Sequence, residues 1–214
     1  LAHNSYNSAA KELLSIGDIR GSSTWLDYSS YGITSKDIPE LIKMATDDKL
    51  NFAGSNSTYV WAPLHAWRAL GQLRAIQAID PLISLFEILE NDDWAHEDLP
   101  KIFGMLGKVA IPNLSRYLSD TSHRVMSKII CANCIQHIGM NDDKSKRLCI
   151  QVLSKALEDY LRNDPSLNAF YIWYLKDLGA KDKLPLIQKA YKKGKVDEKV
   201  IGSFEKVESD FYYL

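Results

Sequence analysis

The sequence predicts an all-α protein built as a row of stacked helix pairs. Three observations carry that reading. Apolar residues recur at helical spacing through residues 61–90. A proline-led word returns along the chain at repeat-like intervals. No stretch of useful length alternates apolar and polar residues between turn signals, as a strand would.

The elements follow in order. Residues 1–19 open with a polar stretch and then AAKELLSI, which predicts a short capping helix ended by Gly17. Residues 19–33 (IRGSSTWLDYSSYGI) are rich in Ser and Gly and predict irregular connection. Trp25, Tyr28 and Tyr31 are expected to cover an open end of the core there, given the large apolar area each ring buries. A helix then starts at Asp37, Ile38 and Pro39 and runs through Thr46, followed by a polar loop at residues 51–58 (NFAGSNST).

Residues 61–90 (WAPLHAWRALGQLRAIQAIDPLISLFEILE) predict two helices. Leu64, Trp67, Leu70 and Leu73 fall at steps of three, along one side of a 3.6-residue turn. Pro63 sits in a first turn, where its missing N–H has no partner to lose. Gly71 is small enough for a neighbouring helix to come close. Asp80 is the expected N-cap of the second helix and Pro81 its first residue. Leu82, Leu85, Phe86 and Leu89 form its buried stripe. A pair of this size cannot bury both apolar faces alone and needs a neighbour.

The proline word appears with Pro39, Pro81, Pro112 and Pro185, at gaps of 42, 31 and 73 residues. The last gap is two periods of about 36, within the range of helical repeats. The repeat without a proline is RLCIQVLSKALEDY, residues 147–160. Partner helices are expected at residues 61–73, 99–106 (or from Trp94), 125–138 and 167–178, with a turn at residues 141–144. Residues 198–211 predict one closing helix, and Phe211, Tyr212 and Tyr213 close the far end. The chain reads as one domain, residues 1–214: an N-terminal cap over 1–36, repeats over 37–191 and a C-terminal cap over 192–214.

Composition narrows the class. Of 214 residues 46% are hydrophobic and 25% charged, ordinary for a soluble globular chain. No apolar run nears the ~18 residues that span a bilayer, so no membrane partner is expected. The start shows no secretory pattern, but the first methionine is Met44, so the native chain is expected to extend before Leu1. Three cysteines without a disulfide framework indicate a reducing compartment, and the cytoplasm is the expectation. Residues 1–107 carry a net −6 and residues 108–214 a net +5. That polarity can orient a partner.

ALGQLRAIQAIDPLISLF, residues 69–86, resembles a HEAT-like repeat of the bacterial HEAT and phycobiliprotein-lyase-like kind. The shared features are Leu70–Gly71 closing the first helix, an Ala–Ile lead-in and Pro81–Leu82 opening the second. MLGKVAIPNLSRYLSD repeats them with Leu106–Gly107, Ala110–Ile111 and Pro112, and DLGAKDKLPLIQKAY with Leu178–Gly179 and Leu184–Pro185. The resemblance covers about residues 37–191; the fourth unit lacks both the proline and the Leu–Gly. It implies a right-handed α-solenoid of about five antiparallel helix pairs, an armadillo-type superhelix whose second helices line the concave side. It is nearly silent on activity.

Several constellations have residue types that can carry chemistry. Trp61, His65 and Arg68 fall at i, i+4 and i+7, a ridge opposite the Leu64 stripe. Exposed, they would make a recognition surface; in mid-array, Trp61 would be core. Lys189, Lys192 and Lys193 form a basic cluster near Tyr191, which is either a docking patch or the ordinary basic end of a helix. Asp92, Asp93, Trp94 and His96 are the candidate pocket of an enzyme reading, lyase-like or DNA-glycosylase-like. His96–Glu97 is a single His–Glu pair, too few for a HEAT-based iron hydroxylase. Cys131, Cys134, His137 and Cys149 have metal-ligand residue types, but a CxxC inside a helix lacks the turn of a zinc knuckle. No metal or cofactor is expected, and the basic charge is too local for a duplex track. The leading expectation is a non-catalytic scaffold that binds a protein partner.

Overall fold

A computed structural model of the chain describes residue 6, residues 9–20 and residues 24–213. Most of the polar opening, residues 21–23 of the irregular stretch, Leu214 and the Tyr213 side chain lie outside what it describes. Among the described residues every regular element is helical. The α-helices are α1 (Leu13–Ile16), α2 (Ile38–Ala45), α3 (Asp48–Asn51), α4 (Ala62–Gln72), α5 (Ile79–Ile88), α6 (Asp93–Leu106) and α7 (Ile111–Ser119). They continue with α8 (Val125–Asn141), α9 (Asp143–Glu158), α10 (Pro165–Asp177), α11 (Leu184–Lys192), α12 (Glu198–Ile201) and α13 (Phe204–Tyr213). No helix among the described residues is long and apolar enough to cross a membrane.

Two kinds of helix start recur, one led by proline and one capped by aspartate. Helix α4, with Pro63 and no side-chain cap, is of the first kind, and α10, with Pro165 behind Asp164, combines both. The proline-led helices α2, α5, α7 and α11 each follow directly on a short 3-10 turn: Ser35–Asp37, Ile76–Ala78, Gly107–Ala110 and Lys181–Lys183. None of the four has a side-chain N-cap. Proline tolerates such a first turn because the N–H it lacks would find no intrahelical acceptor. By contrast α3, α6, α9, α10 and α12 open on Asp47, Asp92, Asp142, Asp164 and Asp197, whose carboxylates accept a backbone N–H of the first turn. Helix α9, which covers the expected repeat without a proline, is thus aspartate-capped rather than proline-led.

The expected start at Asp80 is corrected. Helix α5 begins at Ile79, and Asp80 lies in its first turn without capping it. Its carboxylate instead accepts from the Asn113 amide at 2.6 Å, tying α5 to α7. The expected Leu70–Gly71 ending is corrected as well. Gly71 lies inside α4; a Cβ there would stand 3.3 Å from Ile102 and from the Met105 sulfur. Gly71 therefore sets how closely α6 approaches. The residue that ends α4 is Arg74, at φ 49°. There the Ala75 N–H returns to the Leu70 carbonyl at 3.0 Å, as Ala180 does to Leu175 across Gly179. The single closing helix expected over 198–211 is two helices, broken at Gly202 with φ 92°.

Packing follows chain order. One series of contacts runs α2 on α4, α4 on α6, α6 on α8, α8 on α10 and α10 on α12. A second runs α5 on α7 and α7 on α9, and α5, α7 and α9 all meet α8. Helix α4 is buried at ten consecutive residues, Ala62 to Gly71, so it has no polar face. Its Trp67 indole N–H donates to the Ala45 carbonyl at 3.0 Å, satisfying an acceptor orphaned at the end of α2. The buried apolar residues form one contiguous cluster that includes Tyr6 near one end and Phe211 near the other. Tyr28 is buried as expected, while Tyr31 and Tyr212 are exposed.

Candidate functional site

The ridge expected along α4 is taken apart by the fold. His65 is fully buried and Arg68 nearly so. His65 Nε2 lies 2.8 Å from the Gly17 carbonyl, and its Nδ1 lies 2.8 Å from the Tyr28 hydroxyl. A carbonyl only accepts, so Nε2 carries the proton and Nδ1 accepts from Tyr28. The imidazole is neutral; burial first, and the Arg68 charge with it, pull its pKa below 6.5, against the pull of the Gly17 bond. Arg68 Nε donates to Asp98 Oδ2 at 2.6 Å, and its guanidinium stands 4.9 Å from the Trp25 ring centroid. Lys101 Nζ is 3.8 Å from Asp98 Oδ1, an ion pair but too long for a hydrogen bond. That oxygen is buried without a hydrogen-bond partner. Burial accordingly lifts the Asp98 carboxyl above its ordinary value, with Arg68 and Lys101 pulling it back. Neither His65 nor Arg68 is a surface group. Both fasten the N-terminal segment and α6 to α4.

Trp61 has a different fate. It ends the 3-10 turn Thr58–Trp61 that feeds α4 and is half-buried. Trp94, the second residue of α6, meets it edge to face, centroids 5.7 Å apart and planes at 75°. The two indoles help line a cavity of 270 Å³. Val60, Pro63, Leu64, Trp67 and Leu89 complete its apolar wall, and Arg20, Asn51, Ser55 and Asp92 its polar edge. The Asp92 carboxylate holds its place by accepting the Ala95 N–H at 2.9 Å. The Arg20 guanidinium stands 5.3 Å from the Trp61 centroid, a cation over an aromatic face, while also paired with Asp18. Neither the Trp61 nor the Trp94 indole N–H has a protein acceptor among the described residues. The fold thus joins Trp61 of one expected site with Asp92 and Trp94 of the other. The loop residues Arg20, Asn51 and Ser55 carry no sequence signal that would place them here.

The remaining candidates do not converge on that cavity. Asp93 is exposed, and His96 Nε2 is spent on the Glu90 carbonyl at 2.7 Å. Lys189, Lys192 and Lys193 are exposed at the end of α11, where Lys192 reaches Gln188 at 3.2 Å. Cys131, Cys134 and Cys149 are buried free thiols, and Cys131 donates weakly to the Leu114 carbonyl. Burial raises all three, Cys149 to about 12, which makes them poor nucleophiles. Among the described residues no group of three or more His, Cys, Asp or Glu could hold a metal.

No family model, curated protein or solved structure matches this chain.

Proposed function

We propose that the chain is a non-catalytic binding module of the HEAT-like kind, a right-handed α-solenoid that holds a protein partner through the cavity between Trp61 and Trp94. The recurring 3-10 turn and proline-led helix, and packing in chain order, support the solenoid reading. The tryptophan-walled cavity carries the binding reading. At 270 Å³ it falls below the ~300–1,000 Å³ of typical small-molecule sites, which suits one side chain of a partner. Tryptophan is a frequent anchor of protein interfaces.

The side chain it suits is basic. Asp92 supplies a fixed carboxylate, the indole faces attract a cation, and residues 1–107 carry a net −6. Arg20 already rests on Trp61 in this way. The exposed lysines of α11 give the other half of the molecule a complementary handle for acidic groups. The enzyme reading has less support, because His96 and Asp93 stand apart from the cavity.

Selection of a random peptide display library on the full chain tests this. Selected peptides are expected to carry Arg or Lys and to bind Trp94→Ala about tenfold or more weakly, with helical content unchanged. Enrichment of acidic or featureless peptides, or binding indifferent to Trp94→Ala, would overturn it.

A further inference from the structure

A second cavity, of 470 Å³, opens between α7, α8 and α9, with the Tyr171 ring of α10 in its wall. Its chemistry differs from that of the tryptophan pocket. Lys128 of α8 lines it and is only 9% exposed. Its ammonium nevertheless has no hydrogen bond and no ion pair among the described residues; Asp120 and Asp159 act on it only through space. The ammonium tip keeps contact with solvent, yet burial of its stem strips away part of its water, and a bound anion would offset that loss. Around it stand Lys155, Ser115, Thr121 and Gln151, whose side chains also lack protein hydrogen-bond partners among the described residues. Two carboxylates, Glu158 and Asp159, line the same space.

Such a lining selects its ligand. Two ammonium groups and two free hydroxyls suit a group with several acceptor oxygens and more than one negative charge. Asp159 already accepts from Arg162 at 2.7 Å, so a bare anion would face Glu158 as the carboxylate without a donor, and a ligand hydroxyl would serve it. We propose that this cavity binds a small phosphate monoester bearing hydroxyl groups. Its phosphate lies against Lys128 and Lys155, Ser115 and Thr121 donate to it, and a hydroxyl donates to Glu158. The volume falls within the range of small-molecule sites. Burial holds the Lys128 ammonium below its ordinary value, and the bound phosphate would raise it.

Titration calorimetry on the full chain reads this directly, with glucose 6-phosphate, glycerol 3-phosphate, glucose, inorganic phosphate and a phosphoserine peptide as probes. At least one of the two esters is expected to saturate the chain, with glucose and inorganic phosphate at least about tenfold weaker. Lys128→Met is expected to weaken the ester about 10- to 100-fold, the loss of a charge-assisted hydrogen bond. Without ligand this variant should be about as stable as the parent, since it keeps the buried stem and removes only a partly desolvated charge with no ion pair. Lys155→Gln, on an exposed side chain, carries the same affinity test should Lys128→Met fail to fold. The proposal is overturned if neither ester binds below about 10 mM, if the folded variant binds as the parent does, if inorganic phosphate binds as tightly, or if the phosphopeptide binds more tightly than either ester.

Discussion

Arg68 and Asp98 show how a residue's role can invert between sequence and fold. At i+7 from Trp61, Arg68 reads as the outer edge of a recognition ridge. In the structure it is one half of a buried ion pair, 2.6 Å from Asp98. Removing one partner of such a pair strands the other charge, at a cost of about 3–5 kcal/mol. Asp98→Ala is therefore expected to lower unfolding stability by that amount in urea titrations. The double variant Arg68→Met with Asp98→Leu should recover most of it, because it removes both charges and keeps the volume. Equal losses in the single and double variants would show that the pair itself is not what the site requires.

His65 yields a pH prediction at the same scale. Its folded pKa lies below 6.5, so the unfolded chain binds the proton more readily. Stability from this site is complete above 6.5, and is lost as pH falls from there through the folded value. His137, also lowered by burial and by Lys101, acts in the same direction. His65→Gln should flatten the acid side of the stability curve, leaving the share due to His137. A curve of unchanged slope would mean that the Tyr28–His65–Gly17 link contributes nothing to pH sensitivity.

At the scale of elements, small residues decide how closely the helices of the first series pack. A Cβ on Gly139 of α8 would lie 2.8 Å from Leu178 Cδ2 and 3.1 Å from Cys149 Cβ, both on buried side chains. Gly139→Ala is expected to cost about 1–3 kcal/mol through overpacking. A Cβ on Gly104 of α6 meets the Asn141 amide at 2.6 Å, but Asn141 is exposed and free to turn away. Gly104→Ala should therefore be neutral, or gain the ~0.5–1 kcal/mol of alanine's helix preference. Thermal unfolding of the two variants should move in opposite senses or differ by at least ~1 kcal/mol; equal destabilisation would show that α6 and α8 tolerate no separation at either point.

Across the whole molecule, contacts in chain order predict graded stability. Helices α4, α6 and α8 each meet helices on both sides along the chain, whereas the main contacts of α13 are with α10 and α11. Hydrogen exchange should therefore be slowest in α4, α6 and α8 and fastest toward α12 and α13. Uniform protection from α2 to α13 would contradict a stack and favour one closed cooperative unit. The cavities follow from the same arrangement. The tryptophan pocket lies where the turn into α4 meets the start of α6, and the Lys128 cavity where α7 and α9 part over α8.

The sequence alone determined that this chain is helical and where most of its helices lie. Helical periodicity, proline in a first turn and glycine after a last one are local: each is set by a few neighbours and the backbone's own hydrogen bonds. The break at Gly202 and the role of Arg74 were harder to read, because competing continuations of a helix there differ by little energy. Only the tertiary structure decided which polar residues are buried and which aromatics stay within reach of solvent. His65 faces Gly17 and Tyr28, 48 and 37 residues away, and Arg68 faces Asp98, 30 residues away. Trp61 meets Trp94 only because α4 and α6 pack side by side. Such pairings rest on distances between helices, which no local spacing along the chain encodes.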